Sequence, residues 1–389
     1  MSREPTLRRF MSPDHLAHNK NLSSFDFFSN HLPCSYRLQK MICVRLVVTH
    51  FLDRSDLVAC VRVSKAWNKF FEPLLYKSVD MTGSLRPSQD VVQRHGADIE
   101  SLTVQLHALP SCQLPFSVWY TWNKHEKRAT KHVLFPNISS LDLKVCLVLK
   151  DVMAWVGQCP RLTFLTLSLG GKSLLDAAEP DLDWSPLRES LQLSKLQISD
   201  THGKALEQSQ LTRILDNCPR YQMKELTLSS QSVGAMALHT LGERFLETMV
   251  TLDISECVVP DWISQRILCS SPRLVVFKSQ LLSVDCMFSE VKGGKADVQH
   301  DFHSEWVCLG LKTLGFVQVL WSEDESRNCK ALEQLWALVE LEVLKIEYMN
   351  SSWWPRGEFD RGQLERNPTS RWMITSWPKL QHYSRRMLP

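Results

Sequence analysis

The chain has 389 residues, of which 44% are hydrophobic and 22% are charged. A chain of this length and composition can bury a large core, so we expect a globular protein with one elongated domain plus a small one, or with two ordinary domains. The formal net charge of +3, from 45 basic and 42 acidic residues, excludes a strong overall field for attracting nucleic acid or a membrane surface.

The cysteines give no sign of a metal centre. None of the 12 has C-x-x-C spacing, so zinc and disulfide frameworks are both poorly supported. The first thirty residues lack the apolar stretch of a secretory signal, and no apolar run approaches the roughly 18 residues that cross a bilayer. We therefore expect no metal, no cofactor, no membrane contact, and a location in the cytoplasm, the nucleus or both.

The N-terminal part of the chain predicts a tail followed by a small helical module. Residues 1–35 lack periodicity and are rich in Ser, Asn and His, which is typical of disorder. Residues 36–80 predict three short helices, since apolar residues recur every three or four positions. Ser55 is placed to cap the second helix and Ser64 the third, and we expect Pro73 to stop or restart the third.

Three aromatic residues on the third helix are predicted to form the core of this module: Trp67, Phe70 and Phe71. A module of this size makes only a marginal core of its own. Its surface therefore implies a partner.

The stretch FLDRSDLVACVRVSKAWNKFFEPLLYKSV, with its V-S-K-x-W core and P-x-L-Y ending, resembles an F-box in its fungal form. It departs from the family at the front, where Met41-Ile42-Cys43 stands in place of the usual Leu-Pro and acidic residue. The resemblance implies docking to a Skp-type adaptor and, through it, to a cullin. It places these residues near the adaptor: Phe51, Leu52, Asp56, Leu57 and Val61. The alternative is a helical cap for the domain that follows.

One pattern, L-x-x-L-x-L with variations, recurs between residues 98 and 350. Its copies begin at Ile99, Ile138, Leu162, Leu193, Met223, Met249, Leu274, Leu311 and Leu341. Each copy predicts a short strand. Amphipathic stretches between the copies predict helices over 152–156, 211–215, 262–268 and 331–338.

Two details support a true repeat. Three helices are followed by C-P-R-L, C-P-R-Y or S-P-R-L, in which the proline takes the chain out of the helix. Two copies extend to L-x-x-L-x-L-x-x-C-x-V, in which we expect the cysteine to fill a tight turn after the strand. This is the leucine-rich-repeat signature.

The repeats predict an α/β solenoid, with parallel strands on the concave side and helices on the convex side. The copies are unevenly spaced, so we expect an irregular arc. We interpret residues 110–134 as an inserted loop and 351–389 as a C-terminal cap or tail. An F-box module followed by leucine-rich repeats is a known family architecture, which the chain resembles.

The last three residues of each copy form a triplet, such as Leu226-Thr227-Leu228. The middle residue of each triplet should point away from the core, because side chains alternate along a strand. We expect these residues to form one row that binds a protein substrate: Thr103, Asp142, Thr166, Gln197, Thr227, Asp253, Lys278 and Lys345.

Other motifs are weaker. LGGKSLLD at 169–176 lacks the leading glycine of a phosphate-binding loop. Aromatic and basic residues interleave within 110–134, which is compatible with binding single-stranded nucleic acid, although we favour a solvated loop. His300 and His303 lack further ligands at metal spacing, and we interpret the acidic run Glu323–Glu325 as a solvated surface.

No catalytic motif is present, so we expect no enzymatic activity. The sequence predicts a substrate-recognition subunit of a cullin-based, SCF-type ubiquitin ligase. In this hypothesis the module docks to the adaptor and the repeats hold the substrate. The alternatives are an interaction scaffold without a ligase role and, less favoured, a nucleic-acid-binding protein.

Overall fold

A computed structural model of the protein describes residues 52–80, 94–106, 135–145, 153, 156–169, 184–200, 208–232, 235–287, 305–349, 355, 357–368 and 370–385. The predicted tail and the inserted loop lie outside these residues. The chain divides into two compact units. Unit 1 is Met1–Leu75 and unit 2 is Tyr76–Pro389.

Unit 1 has two described helices, α1 (Arg54–Val61) and α2 (Lys65–Leu75). Asp53 caps α1, because its carboxylate accepts the Asp56 backbone N–H at 2.9 Å while the Asp53 N–H donates to the Asp56 carboxylate at 3.2 Å. The prediction that Ser55 is the cap is wrong. The chain is already helical at Ser55, whose hydroxyl instead donates to Asp53 at 2.6 Å.

The start of α2 is as predicted, since the Ser64 hydroxyl accepts the Trp67 N–H at 3.2 Å. Its end is not, because Pro73 lies inside the helix, which continues to Leu75. A proline disfavours helical conformation in the preceding residue without forbidding it. The prediction that Pro73 stops or restarts the helix is therefore corrected.

The aromatic residues of α2 have unequal environments. Phe71 is buried and Phe70 half-buried, as the prediction of a module core requires. Trp67 is 46% exposed. Its ring lies against that of Phe71, with centroids 5.3 Å apart. The placement of Trp67 in the core is therefore wrong: the ring covers Phe71 from the outside.

Unit 2 is built on a twelve-stranded sheet in the order β1 to β10, β12, β11. All pairings are parallel except that of β11 with β12. The strands are β1 (Ser78–Asp80), β2 (Ser101–Leu106), β3 (Ser140–Val145), β4 (Phe164–Leu169), β5 (Lys195–Asp200), β6 (Glu225–Ser232), β7 (Thr251–Val258), β8 (Val276–Ser283), β9 (Thr313–Leu320), β10 (Val343–Met349), β11 (Gly357–Asp360) and β12 (His382–Arg385). All nine predicted triplets contribute to strands, which confirms the α/β class and the parallel sheet.

The sheet extends beyond the nine predicted copies at both ends. β1 lies within the range assigned to the helical module, so the boundary of that module moves from residue 80 to Leu75. β12 lies within the predicted C-terminal cap and pairs with β10. The cap prediction is therefore corrected, because 351–389 includes two strands of the sheet.

A backbone ladder shows that the repeats stack without a break. The Lys77 carbonyl accepts the N–H groups of Glu100 and Ser101 at 2.9 and 3.0 Å. Each later repeat donates in the same way to the repeat before it. The acceptor or donor residues at this position are Lys77, Glu100, Ser139, Thr163, Ser194, Lys224, Val250, Val275, Lys312, Glu342 and Gln381. The described sheet thus contains eleven stacked repeats.

The described helices of unit 2 are α3 (Ser185–Glu189), α4 (Gln208–Asn217), α5 (Ala235–Arg244), α6 (Ile263–Ser270), α7 (Val284–Met287), α8 (Glu325–Trp336), α9 (Arg361–Arg366) and α10 (Arg371–Ser376). The predictions over 211–215 and 262–268 match α4 and α6, and that over 331–338 matches α8 up to Trp336. Of 152–156, only Met153 and Val156 are described, and both are helical.

Strands and helices share one core. The first and third positions of the triplets, such as Leu226 and Leu228, belong to the same buried cluster as helical residues such as Leu215 and Leu241. The prolines act as predicted: the Leu162 N–H donates to the Cys159 carbonyl at 3.1 Å, which closes a turn around Pro160. No described helix is long and apolar enough to cross a membrane.

One cysteine differs from its prediction. Cys257 is buried inside β7 and not in a turn. Its thiol donates to the Leu228 carbonyl of the preceding repeat at 3.0 Å. A small side chain with a weak donor fits this position because it fills space and satisfies a neighbouring carbonyl.

Candidate functional site

The predicted row of middle residues is in register across the sheet. Thr103 is paired with Asp142, Asp142 with Thr166, and the series continues without a shift to Asp253 and Lys278. The sheet adds three members that the sequence did not: Asp80, Gly315 and Ser384. The complete row is Asp80, Thr103, Asp142, Thr166, Gln197, Thr227, Asp253, Lys278, Gly315, Lys345 and Ser384.

The row lies on the face of the sheet opposite the core, because side chains alternate along each strand. Thr227 is half-buried, whereas Leu226 and Leu228 on either side of it are buried. Polar contacts extend the face beyond the row. The Ser199 hydroxyl donates to that of Ser168 at 3.2 Å, and Lys195 forms an ion pair with Glu225 at 2.7 Å.

Asp253 and Lys278 form a closed ion pair in the row. Lys278 Nζ lies 2.7 Å from Asp253 Oδ2, and Ser255 donates its backbone N–H and hydroxyl to Oδ1 at 3.2 and 2.7 Å. Desolvation raises the pKa of Asp253, but the hydrogen bonds from Lys278 and Ser255 outweigh it and hold the pKa below its usual value. Gly315 leaves room for Lys278, whose Cγ would lie 3.3 Å from a Cβ at that position.

Asp142 is the opposite case. Its Oδ1 is fully buried without a hydrogen-bond partner. Desolvation raises the pKa of this carboxyl; Lys144 lowers it and Asp80 raises it further. Two aspartates in one row therefore differ: both oxygens of Asp253 accept hydrogen bonds, whereas Asp142 Oδ1 accepts none.

This difference predicts opposite responses to amide substitution. We expect Asp253→Asn to lower the free energy of unfolding by ~1 kcal/mol near neutral pH, because it breaks a charge-assisted contact. Asp142→Asn should raise it, because the cost of holding an ionised carboxylate without a donor disappears. Thermal melts of both variants and the wild type over a pH series measure these changes.

The free energy of unfolding should depend on pH in opposite directions through the two carboxyl groups. The folded-state pKa of Asp142 is raised, so the wild type loses stability as pH rises from the unfolded-state pKa through the folded-state value. The folded-state pKa of Asp253 is lowered, so its contribution is present above the unfolded-state pKa and is lost as pH falls through the folded-state value. Both differences from wild type should shrink in acid. A destabilised Asp142→Asn at neutral pH would contradict this reading of Asp142.

The predicted adaptor-binding residues have mixed environments in unit 1. Phe51 lies outside the described residues, and Leu52, Leu57 and Val61 are half-buried. Asp56 is exposed, but its carboxylate accepts the Asp53 N–H, so it also has a local structural role.

Sequence reasoning missed the exposed apolar residues of unit 1. Val63 is 64% exposed and lies four residues before Trp67, whose side chain is partly exposed to solvent. The V-S-K-x-W pattern contains both residues. Periodicity alone assigned the tryptophan to the core, because an amphipathic pattern does not distinguish an inward face from a docking face.

The remaining motifs contribute little to a site. Within 169–176 only Leu169 is described, and the nucleic-acid motif within 110–134 lies outside the described residues, as do His300 and His303. In the acidic run, Asp324 caps α8 by accepting the Ser326 N–H at 2.9 Å, so it is more than a solvated charge. In the described part of the chain, no group of His, Cys, Asp and Glu side chains is arranged to hold a metal.

Comparison with known proteins gives no family assignment. No protein-family model matches the sequence, and a search of curated proteins found no significant match.

Proposed function

We propose that the chain is the substrate-recognition subunit of an SCF-type ubiquitin ligase. Unit 1 is an F-box module that docks to a Skp-type adaptor. The eleven stacked repeats form a leucine-rich-repeat solenoid whose polar face holds a protein substrate. In this proposal the chain itself has no catalytic role, and other subunits carry out ubiquitin transfer.

The observation that carries the proposal is the continuous polar row on the sheet. Parallel strands in register present one side chain per repeat, so the row offers regularly spaced contacts about 4.8 Å apart. Its charges are of both signs, and Asp253 and Lys278 form an ion pair within it. Such a face favours a protein segment over a nucleic-acid backbone, which requires a basic stripe.

The F-box part of the proposal is supported by the resemblance of the sequence and by the exposed apolar residues of unit 1. Val63 and Trp67 present apolar surface to solvent, and tryptophan is among the residues that contribute most to protein interfaces. We therefore add both to the residues that contact the adaptor.

A substitution at Trp67 tests this docking surface. We expect Trp67→Ala to weaken capture of a purified Skp-type adaptor by about tenfold or more, because a tryptophan at an interface commonly contributes over 1.4 kcal/mol. The melting temperature should change little, since the ring is half exposed. Lys65→Ala, an exposed position on the same helix, is the matched control and should bind as wild type.

Unchanged binding by Trp67→Ala would remove this residue from the docking surface. Failure of the wild type to bind any Skp-type adaptor would instead favour an interaction scaffold without a ligase role. Met41-Ile42-Cys43, where an F-box has Leu-Pro and an acidic residue, is the feature that favours this second function.

A further inference from the structure

We propose that Asp142 is the anchor for a cationic side chain, arginine or lysine, of a protein segment bound on the polar face. This inference rests on the proposed binding role of that face and specifies the chemistry of its ligand. The position of Asp142, the lack of a donor to it among the described residues and the charges around it support this inference.

Asp142 lies on β3 and is the third of the eleven members of the row, with Thr103 on one side and Thr166 on the other by strand register. Asp80 lies two strands away in the same row, at a distance of roughly 10 Å. The charged members of the row nearest β1 are therefore both acidic, and the members beside Asp142 are threonines, which have short uncharged side chains.

Asp142 Oδ1 is buried without a hydrogen bond, and among the described residues no donor contacts Oδ2. Lys144 influences the carboxylate through its charge but makes no hydrogen bond with it. A half-buried carboxylate of this kind costs stability. A ligand that brings a donor and a positive charge to this carboxylate offsets that cost.

Asp142 and Asp253 differ as sites for a cation from a ligand. Asp253 already has Lys278 as its cation at 2.7 Å, together with two contacts from Ser255. A cation from a ligand would have to displace this lysine. Among the described residues, no lysine or arginine forms a hydrogen bond with Asp142, so an incoming guanidinium or ammonium group gains more there. An arginine side chain fits best because its planar donors match a carboxylate.

The test uses the immobilised full chain to select binders from a library of random peptides. We expect the selected peptides to share a basic residue at a fixed position. Replacing a selected arginine by citrulline, which keeps the shape and removes the charge, should weaken binding to the wild type by about tenfold or more. The same replacement should weaken binding to Asp142→Asn by less than about twofold.

Glu333→Gln, an exposed substitution on α8, is the matched control and should respond to citrulline as the wild type does. The proposal is overturned if no peptide binds, if the selected peptides lack a basic residue, or if citrulline costs the same in the wild type and in Asp142→Asn.

Adaptor capture by the same preparations separates this inference from the ligase role. If citrulline does not weaken peptide binding to the wild type but the adaptor is still captured, only the proposed cation site is ruled out. If the citrulline effect depends on Asp142 but the adaptor is not captured, the ligase role is ruled out and the cation site is supported.

Discussion

Trp377→Ala is expected to lower the free energy of unfolding by ~3–5 kcal/mol. The side chain is fully buried, and its Nε1 donates to the Leu335 carbonyl of α8 at 2.8 Å. The substitution thus creates a cavity and removes one of the donors to the Leu335 carbonyl, which still accepts the Leu338 N–H at 3.1 Å. The effect is large because Trp377 joins the last repeat to the one before it, within a segment that the sequence had suggested to be a cap or tail.

Urea unfolding of the full chain measures this change. Trp336→Ala on α8 is the matched control, since that ring is 42% exposed and its removal should cost far less. Equal destabilisation by the two variants would mean that the segment after residue 350 does not pack as the last repeat.

Leu226→Ala should cost ~2–5 kcal/mol, whereas Thr227→Ala, one residue later, should cost about 0.5 kcal/mol or less. Both residues belong to β6. The Leu226 side chain is buried in the core, and the Thr227 side chain lies on the polar face. The pair shares a strand and a repeat, so the difference measures which face is buried. Similar costs would contradict the assignment of the two faces.

The strands could be predicted from the sequence because each triplet places two apolar residues on one face, and a strand has a period of two. Register followed from the same rule: once Leu141 and Leu165 are both inward, Asp142 and Thr166 must lie side by side on the other face. The first and last repeats escaped prediction for a physical reason. At the ends, Val79, Tyr383 and Arg385 take positions that leucine-type residues occupy elsewhere.

The sequence still contained a signal for the last repeat. Trp377-Pro378-Lys379-Leu380 has the same turn as C-P-R-L, and the Leu380 N–H donates to the Trp377 carbonyl at 3.0 Å. The two motifs share the proline and the leucine. They differ at the residue before the proline, which is tryptophan in one and cysteine in the other, so the similarity was not recognised.

The chemistry of the candidate site was less predictable than its position. The sequence placed Asp142 and Asp253 in equivalent positions, but only the three-dimensional contacts separate them, because Lys278 lies on the strand next to Asp253. Trp67 illustrates the same limit. Amphipathic spacing predicts which face of the helix a side chain occupies, but it does not predict whether that face is buried.

The most direct test of the proposed function is the capture of a purified Skp-type adaptor by the full chain, followed by size-exclusion chromatography. We expect the wild type to elute as a stable complex with the adaptor. Leu57→Asp should elute alone, because an unpaired charge at the docking surface abolishes a modest interface, while the melting of unit 2 stays unchanged. A wild type that elutes without the adaptor would contradict the ligase role.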